Sequence, residues 1–372
     1  YKFAYNATRA GTYDLMVGAP DLGGGVNGSV QVQDSPFTVT VRPGPISGPK
    51  SKIYGPNCPE GEDTWNEGSG RPVRLWIEAR DRFENQLDVA PSIPAPFTVK
   101  VRRRGASKVV ATATAKSKDE SGMYDVDVTL DDTGDYLVYV TTSLPSAYGG
   151  EAGELEGSPF KLKIIPGPTS AYQSTAGGVG LTSPQVGKLM SIRIHAKDGS
   201  GNQRLSGGDR FALTLHGPGG ATLSASSVVD YGNGTYNAAY LATVAGHYWI
   251  SVQLADASDT YFDIAGSPFS VNITTGPSNP YVSRLVGRGY AIAGEEAAFT
   301  IQAKDEFGNT HPGGETRRFE VSAERKSRPG LAALPGGAPE QAARIADAGG
   351  GRYTVLSTIR EAGEDVLHTS LV

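Results

Sequence analysis

The sequence predicts an all-β protein built from several antiparallel two-sheet sandwiches in series. A strand motif recurs three times, and pairs of tyrosines recur at a constant spacing. The 49 Gly and 24 Pro residues suit short strands joined by turns and suit long helices badly. A length of 372 residues is too long for one small sandwich and fits three or four units of roughly 100 residues each.

The recurring motif is Ser-Pro-Phe followed by alternating polar and apolar residues, and it begins at Ser35, Ser158 and Ser267. An alternation with a period of two predicts a strand with one buried face. We therefore expect Phe160 and Phe269, which open the alternation, to be buried. A Gly-Pro pair follows each strand and ends at residues 45, 168 and 277. Proline cannot continue the ladder, so each pair predicts a short, stiff linker between two units.

Paired tyrosines precede each closing strand. The spacing is twelve residues in every case, and the pairs are Tyr1 and Tyr13, Tyr124 and Tyr136, and Tyr236 and Tyr248. Such tyrosines pin a sandwich corner, with the ring in the core and the hydroxyl bonded to the backbone. A recognition surface made by the tyrosines is the alternative.

An Asp-containing turn opens each unit. An Asn follows each Asp four residues later, in the pairs Asp81 and Asn85, Asp198 and Asn202, and Asp305 and Asn309. A calcium site needs several oxygen ligands that converge on one point, and each turn offers only one Asp and one Asn. We therefore expect these side chains to cap their own backbone.

The Gly-x-Tyr strand, the Ala-Gly-x-Tyr strand and the Ser-Pro-Phe strand together resemble the filamin repeat. The resemblance covers essentially the whole chain and implies tandem immunoglobulin-like sandwiches in an extended array. It divides the chain into the C-terminal part of a repeat (1–45), two complete repeats (46–168 and 169–277) and an incomplete repeat (278–372). These ends suggest a piece of a longer polypeptide within a large assembly. No actin-binding helical region is present, so the resemblance does not carry over the crosslinking activity of filamins.

The first repeat departs from the pattern at Asp34, where the later repeats have Gly157 and Gly266. Two insertions, 141–156 and 327–339, are expected to be surface loops.

No motif predicts catalysis, a cofactor or a metal site. The five histidines are scattered without metal-ligand spacing, and the single cysteine, Cys58, has no local nucleophile signature. A net charge of −5 gives no electrostatic reason to expect nucleic acid as a partner. No apolar run approaches the ~18 residues of a membrane helix. The sequence therefore predicts a protein that is not an enzyme and whose partners are other proteins.

The resemblance implies that partners add a strand to the third strand of a repeat, with the fourth strand flanking the groove. By position, the third-strand candidates are Phe211, Ala212, Leu213, Thr214 and Leu215 in one repeat and Phe319, Glu320, Val321 and Ser322 in the next. The flanking candidates are Val228, Val229, Arg344 and Ile345.

Three hypotheses for the cellular role follow. The first is a cytoplasmic scaffold of the cytoskeleton or of a cilium, where the repeats space and bind partners. The second is a cell-surface adhesion protein, which the four Asn-x-Ser/Thr sequons at Asn6, Asn27, Asn233 and Asn272 favour. The third is the substrate-recruiting arm of a ubiquitin ligase.

Overall fold

Short strands make up almost all of the regular structure in the computed structural model. The description covers the whole chain except residues 1, 3, 21–28, 57–63, 89–95, 119–120, 143–148, 226, 293, 315–318, 326–342, 359–364 and 372. Cys58, Asn27, the insertion 327–339 and part of the insertion 141–156 lie outside the described residues. No helix in the described part of the chain is long and apolar enough to span a membrane.

The chain divides into two compact units. The first comprises residues 1–168 together with the segment Asp198–Asn202, and the second comprises residues 169–197 and 203–372. Among the described residues, no sheet joins strands from two different predicted repeats.

The first repeat contributes two small antiparallel pairs to the first unit. Its strands are β1 (Gly11–Leu15), β2 (Gly18–Pro20), β3 (Ser29–Gln31) and β4 (Phe37–Val41). Strand β1 pairs with β4, and β2 pairs with β3. Every side chain of β1 is exposed, so the described part of this repeat has little core.

The second repeat forms a complete sandwich. Its strands are β5 (Ile46–Tyr54), β6 (Thr64–Gly68), β7 (Pro72–Asp81), β8 (Phe97–Arg103), β9 (Val109–Thr114), β10 (Lys116–Ser117), β11 (Met123–Thr129), β12 (Gly134–Thr142), β13 (Gly153–Glu154) and β14 (Phe160–Ile165). One sheet has the order β10-β11-β7-β5, and the other has the order β6-β14-β12-β8-β9 with β13 beside β12. All pairs are antiparallel except β14 with β6. The inward residues of both sheets, among them Phe97 and Tyr124, form one hydrophobic core.

The third repeat has the same plan in the second unit. Its elements are β15 (Thr175–Gly177), α1 (Val179–Thr182), β16 (Leu189–His195), β17 (Phe211–His216), a 3-10 turn (Pro218–Gly220), β18 (Thr222–Ser224), β19 (Ser227–Asp230), β20 (Thr235–Leu241), β21 (Gly246–Ala255), β22 (Tyr261–Asp263) and β23 (Phe269–Ile273). The sheets have the orders β15-β16-β20-β19 and β18-β17-β21-β22, and β23 pairs with β21. A second core lies between them.

The fourth repeat carries the remaining strands of the second unit. They are β24 (Arg284–Gly287), β25 (Glu296–Gln302), β26 (Phe319–Arg325), β27 (Arg344–Gly349), β28 (Arg352–Thr358) and β29 (Asp365–Leu371). One sheet has the order β24-β25-β28-β27, and β26 pairs with β29. Its smaller core is built around Ile301, Tyr353 and Val355.

The serine of the Ser-Pro-Phe motif explains why the motif recurs. Its Oγ accepts a hydrogen bond from the N–H of Val140 in the second repeat and of Val252 in the third, at 3.2 and 2.9 Å. The residue before the serine has a positive φ in all three repeats, at 65° for Asp34, 83° for Gly157 and 80° for Gly266. Glycine adopts this conformation without a steric penalty, and Asp is among the residues that tolerate it. The departure at Asp34 therefore preserves the turn.

The expectation that Phe160 and Phe269 are buried is wrong in degree, because both rings are only half-buried. Each lies at the edge of its core and packs against it. The Phe160 ring stacks on Trp65 with centroids 5.1 Å apart, and an added Cβ on Gly157 would lie 3.4 Å from the ring. The next two inward residues, Leu162 and Ile164, are the fully buried ones.

Candidate functional site

The Asp side chains cap the backbone of their own turns, as expected. In the second repeat Asp81 Oδ1 accepts hydrogen bonds from the N–H groups of Phe83 and Asn85 at 2.8 and 3.0 Å. Asp305 Oδ1 accepts the corresponding bonds from Phe307 and Asn309 at 3.0 and 2.9 Å. These bonds fix the turn.

The second oxygen of each Asp reaches the linker that precedes the repeat. Asp81 Oδ2 accepts a hydrogen bond from Gly44 N–H at 2.8 Å, and Asp305 Oδ2 accepts one from Gly276 N–H at 3.1 Å. Both glycines belong to the Gly-Pro linkers. The carboxylate therefore ties the start of one repeat to the end of the repeat before it.

The electrostatics of Asp81 follow from this position. The side chain is only 1% exposed, and burial alone would raise the pKa of its carboxyl group. The hydrogen bonds from Asn85, Gly44 and Phe83 stabilise the charged form and outweigh burial, so the pKa of Asp81 is lowered. The group is thus a buried carboxylate that accepts hydrogen bonds.

The Asn side chain of each turn forms hydrogen bonds with backbone groups of the preceding repeat. Asn85 Nδ2 donates to the carbonyl of Thr8 at 2.8 Å, and Asn85 Oδ1 accepts from Ala10 N–H at 2.9 Å. Asn309 Nδ2 donates to Thr243 O at 2.9 Å, and Asn309 Oδ1 accepts from Ala245 N–H at 2.9 Å. Each amide therefore makes a two-point contact with a turn of the previous repeat.

The Asp and Asn contacts occur a third time in the turn Asp198–Asn202, which belongs to the first unit. Asp198 Oδ2 accepts from Gly167 N–H at 2.9 Å, and Asn202 bonds Asp131 O and Thr133 N–H at 2.6 and 3.2 Å. Burial would raise the pKa of Asp198, but hydrogen bonds from Ser69, Asn202 and Gly167 lower it overall. The same arrangement thus occurs three times.

The corner tyrosines form hydrogen bonds with the same turns that the Asn side chains contact. Tyr13, Tyr136 and Tyr248 donate to the carbonyl four residues earlier, at 2.9, 2.8 and 2.8 Å. The accepting residues, 9, 132 and 244, lie between the two residues that each Asn contacts. Each turn is therefore fixed by a tyrosine of its own repeat and by an asparagine of the next repeat; Tyr136 and Tyr248 are buried, whereas Tyr13 is exposed. We call the Asp, the Asn and the contacted turn the junction clamp.

The role of the Asn residues was missed in the sequence, where the turns predicted only local capping. The constant Asp-to-Asn spacing of four residues in three repeats was the available signal. The contacts join residues 64 to 77 positions apart, which spacing within one turn cannot reveal.

The predicted third strand of the third repeat is partly occupied by its own chain. Strand β18 pairs with the far half of β17, from Thr214 to His216, and Ala225 N–H donates to Leu213 O. Phe211, Leu213 and Leu215 are buried in the core, whereas Ala212 and Thr214 are half-buried. Val228 and Val229 are exposed on the edge strand β19 of the other sheet.

The fourth repeat leaves its third strand more open. Among the described residues β26 pairs only with β29, so its other edge has no partner strand there. Phe319 is buried and Glu320 is exposed, while Val321 and Ser322 are half-buried. Arg344 is exposed, and Ile345 packs with Val321 against the same core.

Within the described residues, no group of three or more His, Cys, Asp or Glu side chains could hold a metal ion.

The model of the filamin/ABP280 repeat matches residues 168–270. The chain contains a filamin-type repeat. Filamin-C of Rattus norvegicus is 27% identical over 308 residues, which are 82% of this chain and 9% of that protein. The E3 ubiquitin-protein ligase TRIM71 of Xenopus tropicalis is 35% identical over 31% of this chain and 13% of its own length. The dynein alpha chain of the flagellar outer arm of Chlamydomonas reinhardtii is 37% identical over 28% of this chain and 2% of its own length.

The chain therefore spans a small part of each of these relatives. The shared part is the filamin-type repeat, which is typically a structural and interaction domain. The tandem sandwiches form an array of repeats.

Proposed function

We propose that this chain is a spacer that holds partners at set distances, with the junction clamp fixing neighbouring repeats within each unit. The observation that carries the proposal is the threefold occurrence of the clamp. The Gly-Pro segments alone are enough to connect the domains. The buried Asp and the Asn beside each linker are needed only if neighbouring domains are also fixed against each other.

The hydrogen bonds of the junction clamp contribute enough free energy to favour a closed junction. Each junction gains two hydrogen bonds from the Asn amide and one to a carboxylate. At roughly 1 kcal/mol for each neutral bond and somewhat more for the charged one, the gross contribution is about 3 kcal/mol. That free energy would favour the closed junction over an open one by roughly 100-fold.

Hydrogen exchange of single amides tests the clamp in the second unit. The N–H of Ala245 donates to Asn309 Oδ1, and Asn309→Ala should accelerate its exchange while core strands keep their protection. Asn272→Ala is the matched control, because Asn272 is exposed on β23. Unchanged exchange at Ala245 in Asn309→Ala would reject the proposal.

The cellular setting that we propose is a cytoskeletal or ciliary assembly. The likeness to rat filamin-C over 82% of the chain and to a flagellar dynein chain over 28% of it supports this setting. The ubiquitin-ligase likeness covers 31% of the chain, and it supports a recruiting arm only in a protein that also has a ligase domain.

The cell-surface alternative rests on the sequons. Asn6, Asn233 and Asn272 are exposed, so their positions would accept glycans. Mass spectrometry of the protein from its native source separates the two settings. Unmodified asparagines support the intracellular role, and glycans on Asn233 and Asn272 would contradict it.

Strand addition at β26 is the second function that we propose, since its outer edge has no partner strand among the described residues. A partner strand would pair with the backbone of Phe319–Ser322, and Val321 and Ile345 would form the apolar floor. The edge at Phe211–Leu215 is the weaker candidate because β18 occupies half of it.

Hydrogen exchange also tests this edge. Outward-pointing amides of Phe319–Ser322 should exchange faster than those of β17 opposite β18. Equal protection along both strands would show that another segment covers β26 and would end this proposal.

A further inference from the structure

The connection between β8 and β9 in the second repeat is a short loop with one hydroxyl group between two cations. Strand β8 ends at Arg103 and β9 begins at Val109, so the loop is 104–108, with the sequence Arg-Gly-Ala-Ser-Lys. All five residues are exposed. We call this segment the serine loop.

The side chains of the serine loop have no partners in the described part of the chain. Arg104, Ser107 and Lys108 form no side-chain hydrogen bond or ion pair there. Asp135 is an acidic neighbour on β12, since its carbonyl accepts a hydrogen bond from the Arg104 N–H at 2.9 Å. Its carboxylate forms no ion pair among the described residues, and an exposed pair would contribute only about 0–1 kcal/mol.

The backbone of the serine loop is held by few hydrogen bonds. Outside the strands, the described bonds are that of Arg104 and one from Ala106 N–H to Arg103 O at 3.0 Å. Gly105 has a φ of 81°, and a Cβ added there would meet no atom within 4 Å, so the loop stands clear of the sandwich. Such a segment can open locally while the core strands stay folded.

Ser107 has a spacing from arginine that is rare in this chain. Of all its serines and threonines, only Thr12 and Ser107 follow an arginine by three residues, namely Arg9 and Arg104. Thr12 lies within β1 and is paired with Thr40 of β4, whereas Ser107 lies outside the strands. Ser107 therefore combines an arginine at that distance with an exposed loop.

The third repeat shows that the fold does not require these residues. Its corresponding connection, between β17 and β18, is 217–221 with the sequence Gly-Pro-Gly-Gly-Ala. That loop carries neither a charged side chain nor a hydroxyl group. The arginine and the serine of the second repeat are thus additions to a turn that forms without them.

We propose that Ser107 is a phosphorylation site for a protein kinase that selects arginine three residues before its target. Kinases choose substrates by charge pattern, and Arg104 beside an exposed hydroxyl fits an acidic substrate cleft. In the transfer, Ser107 Oγ forms a bond to the γ-phosphorus of ATP, the bond from that phosphorus to ADP breaks, and the hydroxyl proton passes to the catalytic Asp of the kinase.

The serine loop also provides partners for the phosphate. A phosphoserine carries about −1.5 to −2 charges at pH 7, which would offset the two positive charges of Arg104 and Lys108. Both cations can donate charge-assisted hydrogen bonds to phosphate oxygens. Phosphorylation would therefore change the loop from cationic to nearly neutral without bringing like charges together.

The test is phosphorylation of the whole folded chain by Ca²⁺/calmodulin-dependent protein kinase II, which selects arginine at this position, with ATP as the donor. Mass spectrometry locates each phosphate and gives the initial rate at each site. Arg104→Gln removes the arginine that the kinase would recognise. Lys108→Gln is the matched control, because it removes one positive charge from the same loop and leaves Arg104 in place.

We expect phosphate to appear on Ser107 faster than on Thr12 in the native chain. The initial rate at Ser107 should fall at least about tenfold in Arg104→Gln and stay within about threefold in Lys108→Gln. No phosphate on Ser107, an equal rate on Thr12, or equal loss of rate in the two variants would overturn the proposal. The serine loop contains no residue of the junction clamp or of β26, so its failure would leave the proposed function standing.

Discussion

Two tyrosines in the second repeat should respond in opposite ways to loss of the hydroxyl group. Tyr136 is 3% exposed, and its hydroxyl donates to Asp132 O at 2.8 Å. Tyr124 is 2% exposed, and its hydroxyl has no hydrogen-bond partner in the described part of the chain. Substitution by phenylalanine keeps both rings, including the edge-on contact of Tyr124 with Phe97 at 5.2 Å.

The magnitudes follow from the cost of unpaired buried groups. Tyr136→Phe removes one hydrogen bond with a net value of about 1 kcal/mol and should destabilise the repeat by that amount. Tyr124→Phe removes a buried group that lacks a partner and should be neutral or stabilise the repeat by up to about 1 kcal/mol. With a urea m-value of about 2 kcal/mol/M, Tyr136→Phe lowers the midpoint by about 0.5 M, and Tyr124→Phe leaves it unchanged or raises it.

Urea unfolding followed by tryptophan fluorescence measures both variants. A Trp249→Phe background leaves Trp65 and Trp76, both in the second repeat, as the reporters. A fall in the midpoint for Tyr124→Phe as large as that for Tyr136→Phe would refute the reasoning, because it would mean that the hydroxyl of Tyr124 is bonded.

Two further predictions concern the first unit. The pKa of Asp81 is lowered in the folded state, so its stabilising contribution is present above the unfolded pKa of about 3.9 and is lost as pH falls through the folded pKa. Urea midpoints at pH 5 and pH 3 should differ more in the native chain than in Asp81→Asn, and equal differences would contradict this assignment. Phe97 is fully buried and Phe160 only half-buried. Phe97→Ala should therefore cost about 3–5 kcal/mol and Phe160→Ala about 2 kcal/mol; equal losses in urea unfolding would show that burial does not decide the difference.

The fold could be predicted from the sequence because its signals are local. Alternation after Ser158 and Ser267 marks strands β14 and β23, and the spacing of Tyr124 and Tyr136 marks β11 and β12. A corner tyrosine bonds a carbonyl only four residues away, so its role can be inferred from one short segment. The half-burial of Phe160 could not be foreseen, since it depends on where the sandwich ends.

The candidate sites were harder to predict because they join distant residues. Asn85 bonds the backbone of Thr8 and Ala10, and no pattern within its own turn points to that segment. The occupation of β17 by β18 depends on the path of the connection after His216. The spacing of Arg104 and Ser107 can be read from the sequence, but their place in an exposed loop requires the bounds of β8 and β9.

The central claim is that the junction clamp holds neighbouring repeats of one unit in one arrangement. The most direct test is the distance distribution between spin labels on either side of a junction within the second unit. Labels at Ser258→Cys and Glu296→Cys occupy exposed positions in the third and fourth repeats, in a Cys58→Ser background that leaves no other thiol. We predict one narrow distribution in the native sequence and in the control Asn272→Ala, and a broad one in Asn309→Ala. A native distribution as broad as that of Asn309→Ala would contradict the claim.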